Sequence, residues 1–96
     1  MNIVYIMTDD HSYQTISAYG GPLGNLAPTP NLDRLAAKGM LFQRAFVENS
    51  LSTPSRACLM TGLYSHQNGQ RTLFGNVDTT KTFFSEILQQ NGYQTA

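Results

Sequence analysis

The sequence predicts an α/β domain built on a mainly parallel sheet, and three observations carry that reading. Strand-like and helix-like patterns alternate along the chain as strand, helix, strand, helix, strand. The first run, with Ile3, Val4, Ile6 and Met7, is nearly continuous apolar, the pattern of a strand covered on both faces. Glycine or Asn-Gly follows each helix pattern, so the elements are short and well separated. Three short strands would leave open sheet edges. Residues 1–96 therefore read as the incomplete N-terminal portion of a larger α/β domain.

Each element has its own justification. Residues 2–7 form the first strand. Residues 9–30 are rich in Gly, Pro, Ser and Asn and read as a site-forming loop, with a short helical turn near Tyr13–Ala18. Thr29 is the expected N-cap of a short helix, Pro30 its first residue, and Gly39 its stop. Leu32, Leu35 and Ala36 share one face of it. Met40–Val47 reads as a second strand. Pro54–Thr61 is a helix ended by Gly62. Thr79 or Thr80 caps a last helix with Phe83, Phe84, Ile87 and Leu88 as its buried stripe, ended by Asn91-Gly92. Tyr93–Ala96 reads as the beginning of a third strand. Phe42, Phe46, Phe83 and Phe84 are expected in the core, and Lys81 and Glu86 on solvated helix surface.

Six basic and six acidic residues give no net charge, which argues against nucleic acid or a membrane surface held by bulk electrostatics. Only 12% of residues are charged, against about 25% in a typical soluble domain. Part of this surface is thus expected to lie under more protein. The lone cysteine, Cys58, excludes an internal disulfide and reads as a small buried hydrophobe. The start, Met1 into a strand-like run, does not read as a signal peptide, and no run is long enough for a membrane span.

Two groups of residues carry candidate chemistry. Asp9 and Asp10 end the first strand. Neighbours on a regular strand point to opposite faces, so an adjacent pair can chelate only where the chain turns. Their mutual repulsion favours a bound cation, and all-oxygen ligation favours Ca²⁺ or Mg²⁺ over zinc. The second group is Ser52-Thr53-Pro54-Ser55-Arg56, followed by Leu59-Met60-Thr61-Gly62. Ser52 before a Pro-led helix is either an N-cap or a hydroxyl presented at an anion-stabilising helix N-terminus. As a plain hydroxyl it needs an adjacent base to act as a nucleophile. Arg56 lies one turn later on the same side, where its guanidinium can offset anionic charge. Thr53 and Ser55 read as local hydrogen-bonding residues, His11 as a surface or supporting residue, and His66 as a loop residue packing the helix end.

Three blocks in this order resemble one family. Asn2–Asp10 resembles its first strand and acidic pair. Thr29–Ala36 resembles its TPNLDRLA helix. Ser52–Arg56 with Thr61-Gly62 is similar to the signature [C/S]-x-P-x-R of the type I sulfatases, members of the alkaline-phosphatase-like superfamily. The resemblance implies an alkaline-phosphatase-like α/β/α sandwich and sulfuric ester hydrolysis. It also implies that Ser52 is oxidised to Cα-formylglycine. A Ser at that position resembles the bacterial type matured by a radical-SAM sulfatase-maturating enzyme, which reads Pro54 and Arg56. The hydrated aldehyde then attacks sulfur through one hydroxyl, and the second hydroxyl collapses the diol to release sulfate. Asp9, Asp10 and Ser52 are implied as ligands of Ca²⁺, with Mg²⁺ second, and Ser52 and Arg56 as catalytic residues. The family's Asp-Asn pair and its Lys and His lie downstream of this segment. The implied substrate is a sulfated small molecule or glycan. Bacterial members are often exported to the periplasm or beyond, although nothing in this chain shows it.

Two rivals stand beside this reading. One is a metal-dependent phosphoesterase or phosphotransferase that keeps Ser52 unmodified. The other is a non-catalytic truncated fragment, since half a sheet and half a metal site should not turn over substrate.

Overall fold

A computed structural model describes residues 1–96, which divide into two compact units, Met1–Ala45 and Phe46–Ala96.

In the first unit, residues 1–8 form no strand. The expected apolar strand over residues 2–7 is absent, and Val4 is 83% exposed. A strand is stabilised by a neighbour that accepts and donates its backbone hydrogen bonds, and residues 1–8 make none with another segment. The same holds for Met40–Val47, which is irregular, with Phe42 and Phe46 exposed rather than in a core. Helices survive this lack of partners because they satisfy their own backbone.

Two single-turn 3₁₀ helices, Tyr13–Thr15 and Ser17–Tyr19, fall where the sequence predicts a helical turn. Ser12 Oγ accepts the Gln14 N–H at 3.3 Å and caps the first. Tyr13 and Tyr19 meet edge to face at 5.9 Å. Helix α1, Pro30–Lys38, has Thr29 at its N-cap position and ends at Gly39, as the sequence predicts. Thr29 does not cap with its side chain. Its Oγ1 instead accepts the Ser17 N–H at 3.0 Å and donates to Asp33 Oδ1 at 3.1 Å. Ser17 Oγ in turn accepts the Thr29 N–H at 2.9 Å and donates to Asp33 Oδ2 at 2.6 Å. This reciprocal clip fastens the 3₁₀ loop to the first turn of α1. The apolar face of α1 lines a groove of about 390 Å³ with Ile16, Tyr19, Leu32, Leu35 and Leu41 among its walls.

In the second unit, α2 spans Ser52–Thr61, α3 Ser65–Asn68 and α4 Phe84–Gln90. Helix α2 begins two residues before Pro54, a correction to the sequence boundary. Proline is tolerated there because the first four N–H groups of a helix have no partner within it. Gly62 stops α2 in the left-handed region at φ 67°. Helix α2 packs against α3 and α4. Its buried side is small: Pro54, Ala57 and Cys58.

Helix α4 is shorter than its pattern predicts. Neither Thr79 nor Thr80 caps it; Phe83 holds the N-cap position, and Glu86 Oε2 accepts the Phe83 N–H at 3.1 Å. The two threonines belong to a preceding turn, where the Asp78 carboxylate accepts both the N–H and the hydroxyl of Thr80. Lys81 sits in that turn, 3.7 Å from Asp78. Phe84 and Ile87 are exposed and Phe83 and Leu88 half-buried, so the predicted stripe is not buried. Tyr93–Ala96 forms no strand; the Tyr93 N–H closes onto the Leu88 carbonyl at 3.0 Å. No helix is long and apolar enough to cross a membrane.

Candidate active site

The Ser52 signature folds as the opening turn of α2. Leu51 is the N-cap, in extended conformation at φ −81°, ψ 142°, and its carbonyl accepts the Ser55 N–H at 2.9 Å, the first bond of the helix. Ser52 is therefore the first helical residue and not the cap, which settles its role as an N-cap in the negative. Its hydroxyl remains available to other groups. Arg56, four residues on, donates from Nε to Ser52 Oγ at 3.3 Å. The spacing predicted this meeting, because residues i and i+4 are surface neighbours on a helix. A cationic donor beside a hydroxyl, at a helix end that carries partial positive charge, makes the position receptive to an anion.

The chain leading into α2 is also held. Asn49 Oδ1 accepts the Leu51 N–H at 3.0 Å, and Asn49 Nδ2 donates to Ser65 Oγ at 3.0 Å. Ser65 Oγ lies 3.3 Å from Cys58 Sγ. Asn68, fully buried, donates to the Leu63 carbonyl at 3.0 Å and weakly to Cys58 Sγ at 3.6 Å, and accepts the Gln70 N–H at 2.9 Å. Cys58 is a buried free thiol, as the sequence reading has it. No buried side-chain nitrogen or oxygen is left without a partner. Asn49, Ser65 and Asn68 went unnoticed in the sequence. The one local signal was Asn-Ser just before a helix, which is common to many ordinary turns.

Asp9 and Asp10 lie in the first unit, in a bend, and both are exposed. Asp10 has φ 48°, the only non-glycine residue in the left-handed region. Short polar side chains such as Asp tolerate this conformation, which turns the chain at the acidic pair. The donors are hard oxygens, so the pair fits a Ca²⁺ or Mg²⁺ site in kind. No group of three or more His, Cys, Asp or Glu side chains comes together. His11 is exposed. His66 lies in α3 and stacks on Tyr64 with ring centroids 5.9 Å apart.

The Ser-x-Pro-x-Arg turn opens α2 in the second unit, and the acidic pair lies in the first. Comparison with known proteins gives the family. The sulfatase family model matches residues 1–96. The chain is 47% identical to the N-acetylglucosamine-6-O-sulfatase of Bacteroides thetaiotaomicron, over 99% of this chain and 16% of that protein. It is 34% identical to human arylsulfatase H, over 98% of this chain and 18% of that protein. It is 35% identical to the N-acetylgalactosamine-6-sulfatase of Rattus norvegicus, over 96% of this chain and 20% of that protein. The chain belongs to the sulfatase family, and it spans a sixth to a fifth of the length of these relatives. Membership implies the α/β fold of that family, of which the 96 residues hold helices but no paired strand.

Proposed function

We propose that the whole protein carrying this chain hydrolyses sulfate esters, with Ser52, as formylglycine, supplying the nucleophile. The observation that carries the proposal is the Ser52–Arg56 pair on the first turn of α2, within a sulfatase-family sequence. A serine hydroxyl cannot shed sulfate from a stable ester by itself. A hydrated aldehyde can: one hydroxyl attacks sulfur as the alcohol leaves, and the second loses its proton, expelling sulfate and restoring the aldehyde. Arg56 offsets the negative charge of the sulfate and orients the attacking oxygen. Thr53 and Ser55 serve the turn and not the chemistry.

Asp9, Asp10 and the Ser52-derived side chain would hold a hard divalent cation, calcium ahead of magnesium. When bound, it neutralises charge on the sulfate oxygens. Such an ion takes about 6–8 oxygen ligands, so residues elsewhere in the whole protein complete the site. The relatives named above make a sulfated amino sugar within a glycan the favoured substrate class. The maturation partner is a radical-SAM enzyme that reads the signature.

The test is peptide mass spectrometry across Ser52, on full-length protein matured anaerobically, together with aryl sulfate and 6-sulfated amino sugar turnover. Loss of two hydrogens at Ser52, with aldehyde reactivity and turnover, is expected. Active protein with intact Ser52, especially with zinc or manganese, would replace this mechanism by a direct serine phosphoesterase. Chelation is expected to abolish turnover, and calcium to restore it. Asp9→Asn or Asp10→Asn should raise the calcium needed.

A further inference from the structure

The position of Ser52 poses a physical problem. It is the first residue of α2, and the first turn of a helix is held by its own backbone bonds on one side only. Whatever precedes it must fix it, because a displacement of about 1 Å at a reacting group costs about 100-fold in rate.

The preceding segment is tied down by one side chain. Asn49 accepts the Leu51 N–H through Oδ1 and donates to Ser65 through Nδ2, both at 3.0 Å. The amide accepts through its oxygen and donates through its nitrogen at the same time. Ser65 continues the connection to Cys58 Sγ at 3.3 Å, and Asn68 anchors that sulfur and the Leu63 carbonyl from a fully buried position. A hydrogen-bonded chain thus runs from the residue before Ser52 to the buried corner joining α2 and α3. That corner is among the best-buried parts of the second unit, with Cys58 only 4% exposed.

We infer that Asn49 is a positioning residue for Ser52, acting through Ser65 to lock the N-terminus of α2 onto the buried α2–α3 corner. Asn49 touches neither substrate nor ion in this role. The inference rests on the reading that Ser52 carries the nucleophile, and its test separates the two.

The test uses full-length matured protein as wild type, Asn49→Ala, Asn49→Asp, Ser65→Ala and the Asn49→Ala/Ser65→Ala double variant. Amide hydrogen exchange is read on the peptide containing Leu51, and kcat and KM are normalised to aldehyde content. Asn49→Ala and Ser65→Ala should each speed exchange at Leu51 about tenfold and lower kcat about 10- to 100-fold, with KM little changed. Ser65→Ala is the decisive variant, because it leaves Asn49 and its bond to Leu51 in place. The double variant should fall no further than the worse single one. Asn49→Asp should recover most of the loss, since a carboxylate still accepts the Leu51 N–H and the Ser65 hydroxyl can turn to donate to it. Wild-type exchange and kcat in Ser65→Ala, or additive losses in the double variant, would overturn the inference. If wild-type protein turns over no sulfate ester, the sulfatase reading falls, and the exchange comparison alone decides the positioning role. If Asn49→Ala does not fold, Ser65→Ala and Asn49→Asp carry the same comparison.

Discussion

Arg56 Nε donates a hydrogen bond to Ser52 Oγ at 3.3 Å across one turn of α2. The pair joins a fixed positive charge to the atom proposed to become the nucleophile. It also makes the signature a piece of helical geometry: the spacing of four is what brings the two side chains together.

Replacing Arg56 should therefore lower turnover at constant aldehyde content. Arg56→Ala is expected to reduce kcat about 100-fold, the usual loss for one donor to developing charge. Arg56→Lys should recover only part of this, because an ammonium keeps the charge but loses the planar donor set. Mass spectrometry at Ser52 must accompany the kinetics, since the maturation enzyme is expected to read the same arginine. Full activity per aldehyde in Arg56→Ala would remove Arg56 from the chemistry.

The Ser17–Thr29–Asp33 clip is a stability element. Asp33→Ala removes the acceptor of two half-buried hydroxyls, one of which can still donate to the other across 2.9 Å, so one is left unsatisfied at a cost of about 1–3 kcal/mol. Denaturant unfolding of the full-length protein should show a loss of this size. Asp33→Asn, which retains one acceptor oxygen, should lose less.

Gly24 is buried, and a Cβ placed on it would lie 2.7 Å from Ser17 Cα. Backbone cannot swing aside as a side chain can, so Gly24→Ala forces the loop off the 3₁₀ turn. The expected cost is about 1–3 kcal/mol, read as a drop in Tm. An unchanged Tm would mean that the loop is not held against Ser17.

Asp78 titrates below the usual carboxylate range, chiefly because the Thr80 hydroxyl and then the Thr80 N–H donate to it, with Lys81 adding a smaller attraction. A depressed folded-state pKa means that the unfolded chain binds the proton first. The contribution to stability is present above the unfolded carboxylate pKa and fades as pH falls through the folded one. Thr80→Val should move the Asp78 carboxyl resonance midpoint upward in an NMR titration, and any loss of stability should show at neutral pH and vanish at low pH. An unmoved midpoint would assign the shift to the residue 80 N–H, which the variant keeps, and to Lys81.

The sequence by itself determined what depends on local spacing. Helix α1 stands where Thr29, Pro30 and Gly39 place it, and Arg56 meets Ser52 because helical periodicity brings i and i+4 together. The two 3₁₀ turns and the stop at Gly62 follow from turn and glycine chemistry in the same way. The family too was legible, because its blocks are contiguous motifs. Only the tertiary structure decided which apolar residues are covered. Val4, Phe46 and Ile87 all read as core and all face solvent, since burial and strand pairing need surfaces that a periodic pattern implies but cannot supply. Tertiary structure also revealed the Asn49–Ser65–Cys58–Asn68 connection, whose members are spread from the loop before α2 to the end of α3. Polar side chains carry no periodicity that would announce such a network; the folding of α3 back onto α2 brings them within hydrogen-bond reach.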